Sequence, residues 1–303
     1  MKVIRNAESY ISPKPLSICI GNFDGFHLGH RLIADDVLKK AADLGASPAV
    51  VTFEFSKNDL LTTTEEKLEL FRETGFKKVL ILKGNDEWMN WSKSYFTDSY
   101  LAHNLKAVSV TVGRDFRYGK DREGDVATLK SSLPDRVKII DLKKSDGKKI
   151  SSTLIREELI AGNLSEVAKL LGRDYFFLGN QVRGEGDGKK LGYPTINFSV
   201  LENKLLPLGV FTAEVILDSS LKKSGVYGAC YIGDINVVGL KKRRRTVEIH
   251  LLGAKRPEAM KPIGVRLLKT IRKPLSFGSK NQLVEKIALD IEKIKVDINH
   301  REL

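Results

Sequence analysis

Apolar residues recur along the first half of this chain in two alternating rhythms. Short, mostly apolar runs at 16–20, 49–53, 78–82 and 107–112, with a later one near 137–141, predict buried strands. Stretches such as 31–44 and 65–74 lie between them and carry apolar residues at helical spacing. In 31–44, Leu32, Ile33, Val37, Leu38 and Ala41 are expected on one face. Apolar strands separated by helices predict a parallel sheet covered on both sides, with ligands beyond the carboxyl ends of its strands.

Around residues 171–175 the period changes. Phe211, Ala213, Val215 and Leu217 alternate with Thr212, Glu214 and Ile216, and Val247, Ile249 and Leu251 alternate with Glu248 and His250. This is strand periodicity, broken by turn-rich segments at 184–188 and 218–225. A final helix is predicted over 281–295, with an apolar stripe of Leu283, Ile287, Ile291 and Ile294. The second half therefore reads as a small antiparallel β-barrel with a C-terminal helix. Two domains are expected, 1–172 and 173–303.

Residues 21–30, directly after the first apolar run, read Gly-Asn-Phe-Asp-Gly-Phe-His-Leu-Gly-His. A strand that runs into such a glycine-punctuated turn, with a helix following, forms an anion cradle. Glycine allows close backbone approach, and the helix points its positive end at the same place. His27 and His30 share a face of the first turn. Gly21, Asn22, Phe23, Asp24, Gly25 and Gly29 complete the candidate nucleotide site with these two histidines. A bare His-x-Gly-His is equally an ordinary helix start. The ten-residue form after a strand favours the nucleotide site.

The longer pattern resembles the signature of the nucleotidyltransferase superfamily, and in particular the prokaryotic FAD synthetases fused to a riboflavin kinase. The first half is then expected to be a Rossmann-like α/β nucleotidyltransferase domain, an FMN adenylyltransferase. Two later segments agree. Gly113-Arg114-Asp115-Phe116-Arg117-Tyr118-Gly119-Lys120 resembles the family's nucleotide-side loop, and Ile150-Ser151-Ser152-Thr153-Leu154-Ile155-Arg156 its second phosphate signature. In the latter, Ser152 and Thr153 are cap-type residues that can hold an anion, and Arg156, one turn on, can clamp phosphate oxygens. The family's Pro-His-Pro after Thr52-Phe53-Glu54 is replaced by Phe55-Ser56-Lys57.

A second constellation spans 179–197. Gly184, Gly188 and Lys190 precede Tyr193-Pro194-Thr195-Ile196-Asn197. This is not a Walker loop, and read alone it is equally a flexible glycine-rich hairpin. It resembles the riboflavin kinase signature, which implies that Thr195 and Asn197 bind a magnesium nucleotide. Glu248 matches that family's catalytic base, and strand alternation sends it opposite Val247 and Ile249. Arg272 and Phe277 approximate the family's Arg…Phe pair, which implies a flavin-binding role for Arg272. Departures are Asp234-Ile235-Asn236 in place of Arg-Pro-Thr, and Gly253-Ala254-Lys255-Arg256-Pro257 in place of the acidic-aromatic and Tyr-Gly elements.

Composition narrows the picture little. Of 303 residues, 42% are hydrophobic and 29% charged, as in ordinary globular proteins. The opening residues lack the apolar core of a signal peptide, and no run is long enough to cross a bilayer. Cys19 and Cys230 both sit in apolar strand-like segments, so reduced thiols and a cytoplasmic location are expected. The net charge of +13 suits nucleic acid or polyphosphate substrates. The densest basic run, 241–245, reads as a hairpin loop without a recognition motif, so no nucleic-acid partner is expected. The expected substrates and products are riboflavin, FMN, ATP and FAD, with Mg2+. Two rival readings stay open: only the FAD synthetase half is active, or the chain is a nucleic-acid- or flavin-binding regulator on a retired enzyme.

Overall fold

The structure is a computed structural model that describes all residues except 55–57, 85–86, 142–143, 146, 185, 219–220, 223, 237–242, 253–261 and 303. The chain divides into two compact units: Met1–Lys57 with Lys67–Ser151, and Asn58–Glu66 with Ser152–Leu303.

The first unit is built on six parallel strands: β1 (Lys2–Arg5), β2 (Leu16–Ile20), β3 (Ser47–Glu54), β4 (Lys78–Lys83), β5 (Ala107–Gly113) and β6 (Val137–Ile140). Their order in the sheet is β1-β4-β3-β2-β5-β6. From β2 the chain steps through β3 to β4 on one side, then crosses to β5 on the other. The β2/β5 pair is therefore the topological switch point, where open parallel sheets leave a crevice. Every residue of β2 is buried, and the sheet core includes Ile18, Val51, Leu80, Leu82, Val110 and Val112.

Helix α1 (Leu28–Asp43) follows β2, and α2 (Thr64–Thr74) follows β3. Helix α1 buries Ile33, Ala34, Val37 and Ala41. The expected face is thus corrected at one position: Leu32 is exposed and Ala34 is buried, while Ile33, Val37 and Ala41 stay on the buried face. Gly45 at φ 61 ends this helix in the left-handed conformation that costs glycine least. A π-helical segment, Tyr95–Asn104, precedes β5, and α3 (Val126–Ser132) precedes β6. Asp125 and Thr128 close a reciprocal capping box at the start of α3. A short hairpin, β7 (Lys144–Ser145) and β8 (Lys148–Lys149), follows β6.

In the second unit, α4 (Ser152–Ala161) and α5 (Leu164–Leu171) lead into seven antiparallel strands. These are β9 (Tyr175–Leu178), β10 (Asn180–Val182), β11 (Ile196–Ser199), β12 (Gly209–Ile216), β13 (Tyr227–Asn236), β14 (Arg243–Leu251) and β15 (Gly264–Arg272). A single turn of helix, α6 (Asp187–Lys190), precedes β11, and α7 (Lys280–Glu302) ends the chain. The sheet order is β10-β11-β14-β13-β12-β15-β9. Its two edge strands are consecutive in sequence, with only Gly179 between them. A sheet whose opposite edges are one residue apart must curl round on itself, so the barrel reading holds.

Strand β12 buries both of its alternating faces: Thr212, Glu214 and Ile216 are covered as fully as Phe211, Ala213 and Val215. The outer face is covered in part by α7, where Ile294 and Ile298 pack on Val210. Glu214 is buried there as an ion pair with Arg266, and also accepts from the backbone N–H groups of Ser224 and Gly225 at 2.7 and 3.0 Å. The basic run is a second correction. Arg243, Arg244 and Arg245 are paired in β14 with Asn236, Ile235 and Asp234 of β13. Lys241 and Lys242 lie outside the described residues.

One further polar cluster of the second unit is fully buried. Lys204 Nζ lies 2.6 Å from Glu66 Oε2 with both side chains at 0% exposure. It also donates to the carbonyls of Leu61 and Phe176, at 2.7 and 3.1 Å. Glu66 in turn accepts from the N–H groups of Thr63 and Leu178, at 2.9 and 2.8 Å. The charges are paired and hydrogen-bonded, which is the condition for burying them.

Candidate active sites

The turn after β2 enters the switch-point crevice. Non-glycine residues Phe23 and Phe26 take φ 52 and 37, and Gly25 takes φ 78. The turn is held from beneath by aromatic edges: Phe71 of α2 meets Phe23 and Phe26 at centroid distances of 5.9 and 5.2 Å. The Asn22 carbonyl accepts from Thr52 Oγ1 at 3.3 Å and from Lys67 Nζ at 3.2 Å. Asp24, in the same turn, is buried.

His27 is the N-cap of α1, and its Nδ1 accepts from the His30 backbone N–H at 3.3 Å. An acceptor at Nδ1 places the proton of the neutral ring on Nε2. The two imidazoles stack at 3.6 Å between centroids with an interplanar angle of 15°. A Cβ on Gly29 would lie 3.1 Å from the His27 ring, so glycine there makes room for that imidazole. Phe23 packs edge-on against His30 at 5.2 Å. The expected His27–His30 pair is therefore brought together, with Gly21, Asn22, Phe23, Asp24, Gly25 and Gly29 forming the turn that delivers it.

The loop after β5 leaves the other strand of the switch-point pair. Asp115 pairs with Lys149 at 3.0 Å, Arg114 pairs with Asp141, and Phe116 stacks on Tyr118 at 5.7 Å. Residues 55–57, where the family's Pro-His-Pro is replaced, lie outside the described residues. Ser152, Thr153 and Arg156 belong to the second unit. Ser152 opens α4, and Arg156 Nε donates to the Asp59 carbonyl at 2.8 Å.

The second unit gathers the other constellation. Asn197 of β11 is directly opposite Glu248 of β14. Thr195 Oγ1 donates to Glu248 Oε2 at 3.1 Å, and Asn197 Nδ2 reaches Thr195 Oγ1 at 3.5 Å. Val247 and Ile249 are buried on the opposite face, as alternation requires. Gly184 and Gly188 pack straight against this trio. A Cβ on Gly184 would collide with the Asn197 amide, and one on Gly188 would lie 3.1 Å from Thr195 Oγ1. Lys190 pairs with Asp187 at 2.7 Å on the surface.

Two participants are harder to see in sequence. His250 Nδ1 is 2.9 Å from the Pro194 carbonyl, and its ring meets Tyr193 edge-on at 5.5 Å. Its signal is the period of two that places it on the face of Glu248. A cleft of about 590 Å3 lies between Tyr193 and the α7 residues Glu285, Leu289, Ile291, Glu292 and Lys295. Arg272 is engaged with Asp290 at 2.6 Å and stands 5.7 Å from the Phe277 ring. Residues 253–257 lie outside the described residues. Cys19 and Cys230 are unpaired and buried, and burial drives both thiols well above the usual range, with the Glu248 charge adding to the effect at Cys230.

Among the described residues no helix is long and apolar enough to cross a membrane. Residues 11–154 match the family model described as FAD synthetase, and residues 171–297 match that of riboflavin kinase. A bifunctional riboflavin kinase/FMN adenylyltransferase from Buchnera aphidicola (Schizaphis graminum) is 32% identical over 99% of this chain and 99% of its own. The Escherichia coli K12 protein of the same name is 31% identical over 96% of each. A crystal structure named as a macrolide-efflux protein from Streptococcus pneumoniae has a TM-score of 0.84 at 24% identity, covering 97% of this chain and 99% of that one, a likeness of fold alone. Two domain matches in series and relatives alike from end to end place this chain in the bifunctional riboflavin kinase/FMN adenylyltransferase family.

Proposed function

We propose that the chain phosphorylates riboflavin to FMN and then adenylylates FMN to FAD, using ATP in both steps. The kinase domain is assigned to 173–303 and the adenylyltransferase domain to 1–172, in keeping with the two family matches. The observation that carries this reading is the meeting of Thr195, Asn197 and Glu248 on one face of the curled sheet. It keeps the expected kinase residues together in the half whose flanking motifs depart most from the family.

For phosphoryl transfer, Glu248 accepts the proton of the riboflavin 5′-hydroxyl as that oxygen attacks the γ-phosphorus. The hydrogen bond from Thr195 occupies Oε2 and leaves Oε1 to take the proton. Thr195 and Asn197 offer neutral oxygens, and the glycines beside them leave a cradle that a Cβ would fill. This donor set fits Mg2+, which keeps waters and phosphate ligands instead of demanding a carboxylate cage. Bound there, the ion would neutralise charge on the transferring phosphate. The cleft between Tyr193 and α7 gives the flavin ring an apolar bed.

For adenylyl transfer, an FMN phosphate oxygen attacks the α-phosphorus of ATP and pyrophosphate leaves. Charge grows on phosphoryl oxygens, and fixed donors stabilise it. The Nε2–H of His27 and the stacked His30 supply such donors, and the loop of Gly21, Asn22, Phe23, Asp24, Gly25 and Gly29 supplies backbone N–H groups. Ser152, Thr153 and Arg156 retain the phosphate role on the strength of their motif. No protein nucleophile is required. The buried, unpaired thiols support a cytoplasmic location.

Incubating purified protein with riboflavin and Mg-ATP, then resolving the flavins by chromatography, tests the proposal. FMN followed by FAD is expected. FAD from supplied FMN alone would restrict the chain to adenylylation, and no product from either substrate would favour a regulator.

A further inference from the structure

Lys67 is buried, with 5% of the residue exposed. Nζ donates to two backbone carbonyls, those of Asn22 and Phe53, each at 3.2 Å. Phe53 stands at the carboxyl end of β3, and Asn22 opens the turn that follows β2. Lys67 and Phe71 are one helical turn apart, so they share the face of α2 that meets this turn. Phe71 supports it through two aromatic edges and Lys67 through a charged donor.

The turn needs support. Phe23 and Phe26 hold left-handed backbone angles, φ 52 and 37, that side chains other than glycine rarely adopt. Such conformations persist only where the surroundings over-determine them. The Asn22 carbonyl is the polar fixing point at the start of the turn, taking donors from Thr52 and Lys67 together. Five residues later the chain delivers His27 as the cap of α1. Burying an ammonium is costly, and a methionine would fill the same stem-shaped space without that cost. The retained charge therefore points to what the head group holds.

We infer that Lys67 is a positioning residue for adenylyl transfer: by clamping the Asn22 and Phe53 carbonyls it fixes the strained turn that aims His27 and His30. This rests on the proposed role of the two histidines. It acts through them and needs no contact with either substrate.

The test compares Lys67→Met, Lys67→Arg and His27→Ala in the full-length chain. FAD formation from supplied FMN, FMN formation from riboflavin, and amide hydrogen exchange are measured in each. Lys67→Met should lower kcat for FAD formation about 10–100-fold, the scale of a displacement near 1 Å at a reacting centre. The KM for ATP should move less than about threefold, since ground-state binding is not what the clamp supplies. Exchange should rise in residues 21–30 and not across the rest of the parallel sheet. FMN formation should be unchanged, and Lys67→Arg, which keeps a charged donor, should recover part of the lost rate. Wild-type FAD formation by Lys67→Met beside an inactive His27→Ala overturns the inference and leaves the histidine reading intact. Full activity in His27→Ala overturns the histidine reading itself. Exchange raised throughout the sheet, or no recovery with arginine, marks Lys67 as packing and also overturns the inference.

Discussion

Arg272 Nε donates to Asp290 Oδ2 at 2.6 Å, joining the end of β15 to α7 through an ion pair whose side chains are 14% and 4% exposed. The guanidinium expected to bind flavin is thus committed to a carboxylate, with Phe277 beside it and Lys286 3.8 Å from the other Asp290 oxygen. Asp290 belongs to α7, the helix that also lines the Tyr193 cleft. Asp290→Ala should destabilise the second unit by roughly 3 kcal/mol, because it strands a nearly buried cation. Urea denaturation would measure this. The riboflavin KM should rise in the same variant, and an unchanged KM would detach Arg272 from flavin binding altogether.

Glu248→Gln keeps size and removes the base. FMN production should fall by about 10²–10⁴, the usual cost of losing a general base. Thr195→Ala and Asn197→Ala should instead raise the KM for Mg-ATP, with partial recovery at higher magnesium. FAD formation from supplied FMN should persist in all three. A Glu248→Gln protein that still makes FMN at wild-type speed would remove Glu248 from the chemistry.

His27→Ala and His30→Ala should each lower FAD formation by about 10²–10³, the scale of one lost donor to a charge-accumulating transition state. FMN formation should continue in both. The stacked rings give a secondary expectation. His27→Ala also removes the cap on α1, so it should cost stability of about 1 kcal/mol, whereas His30→Ala keeps the cap. Calorimetry on the two variants separates the contributions.

Arg245 of β14 faces Asp234 of β13 at 3.2 Å, with 36% of its side chain exposed. An exposed pair of this kind contributes between about 0 and 1 kcal/mol. Neutralising residues 241–245 should therefore leave the fold intact and change flavin kinetics little. Tight, salt-dependent binding of RNA or DNA by the unaltered protein, lost on neutralisation, would contradict the expectation of no nucleic-acid partner.

Much of this architecture is legible in the sequence where burial is simple. The strand at 16–20 is read to the residue because both of its faces are covered and its run is apolar apart from Ser17, whose hydroxyl donates to the Val37 carbonyl. The pairing of Glu248 with Thr195 and Asn197 follows from period-two alternation plus a motif. What escapes is set by tertiary context. Leu32 looks like core but is exposed, and Ala34 is buried, because the neighbours packed on α1 and not its apolar pattern alone decide which edge of the stripe is covered. Strand β12 alternates, yet both of its faces are buried: Glu214 is satisfied by Arg266 and two backbone N–H groups, and α7 covers part of the outer face. The π-helical Tyr95–Asn104 follows neither of the two periods sought. Lys67 looks like any surface lysine of an amphipathic helix until the turn it holds is seen.

The Glu66–Lys204 pair bears on how this gene can be cut. The second unit is not one continuous stretch, because residues 58–66 fold with 152–303. A fragment expressed as 152–303 would carry the Lys204 ammonium into its interior and leave the Glu66 carboxylate behind. Stranding a buried charge typically costs roughly 3–5 kcal/mol, a large part of a domain's whole stability. That fragment should be poorly stable, and Lys204→Met should strengthen it, while the same change in the full chain should weaken the protein by orphaning Glu66. Opposite signs for one substitution in two lengths of the same polypeptide, read by urea denaturation, would show that a nine-residue loan from early in the chain completes the interior of a domain encoded near its end.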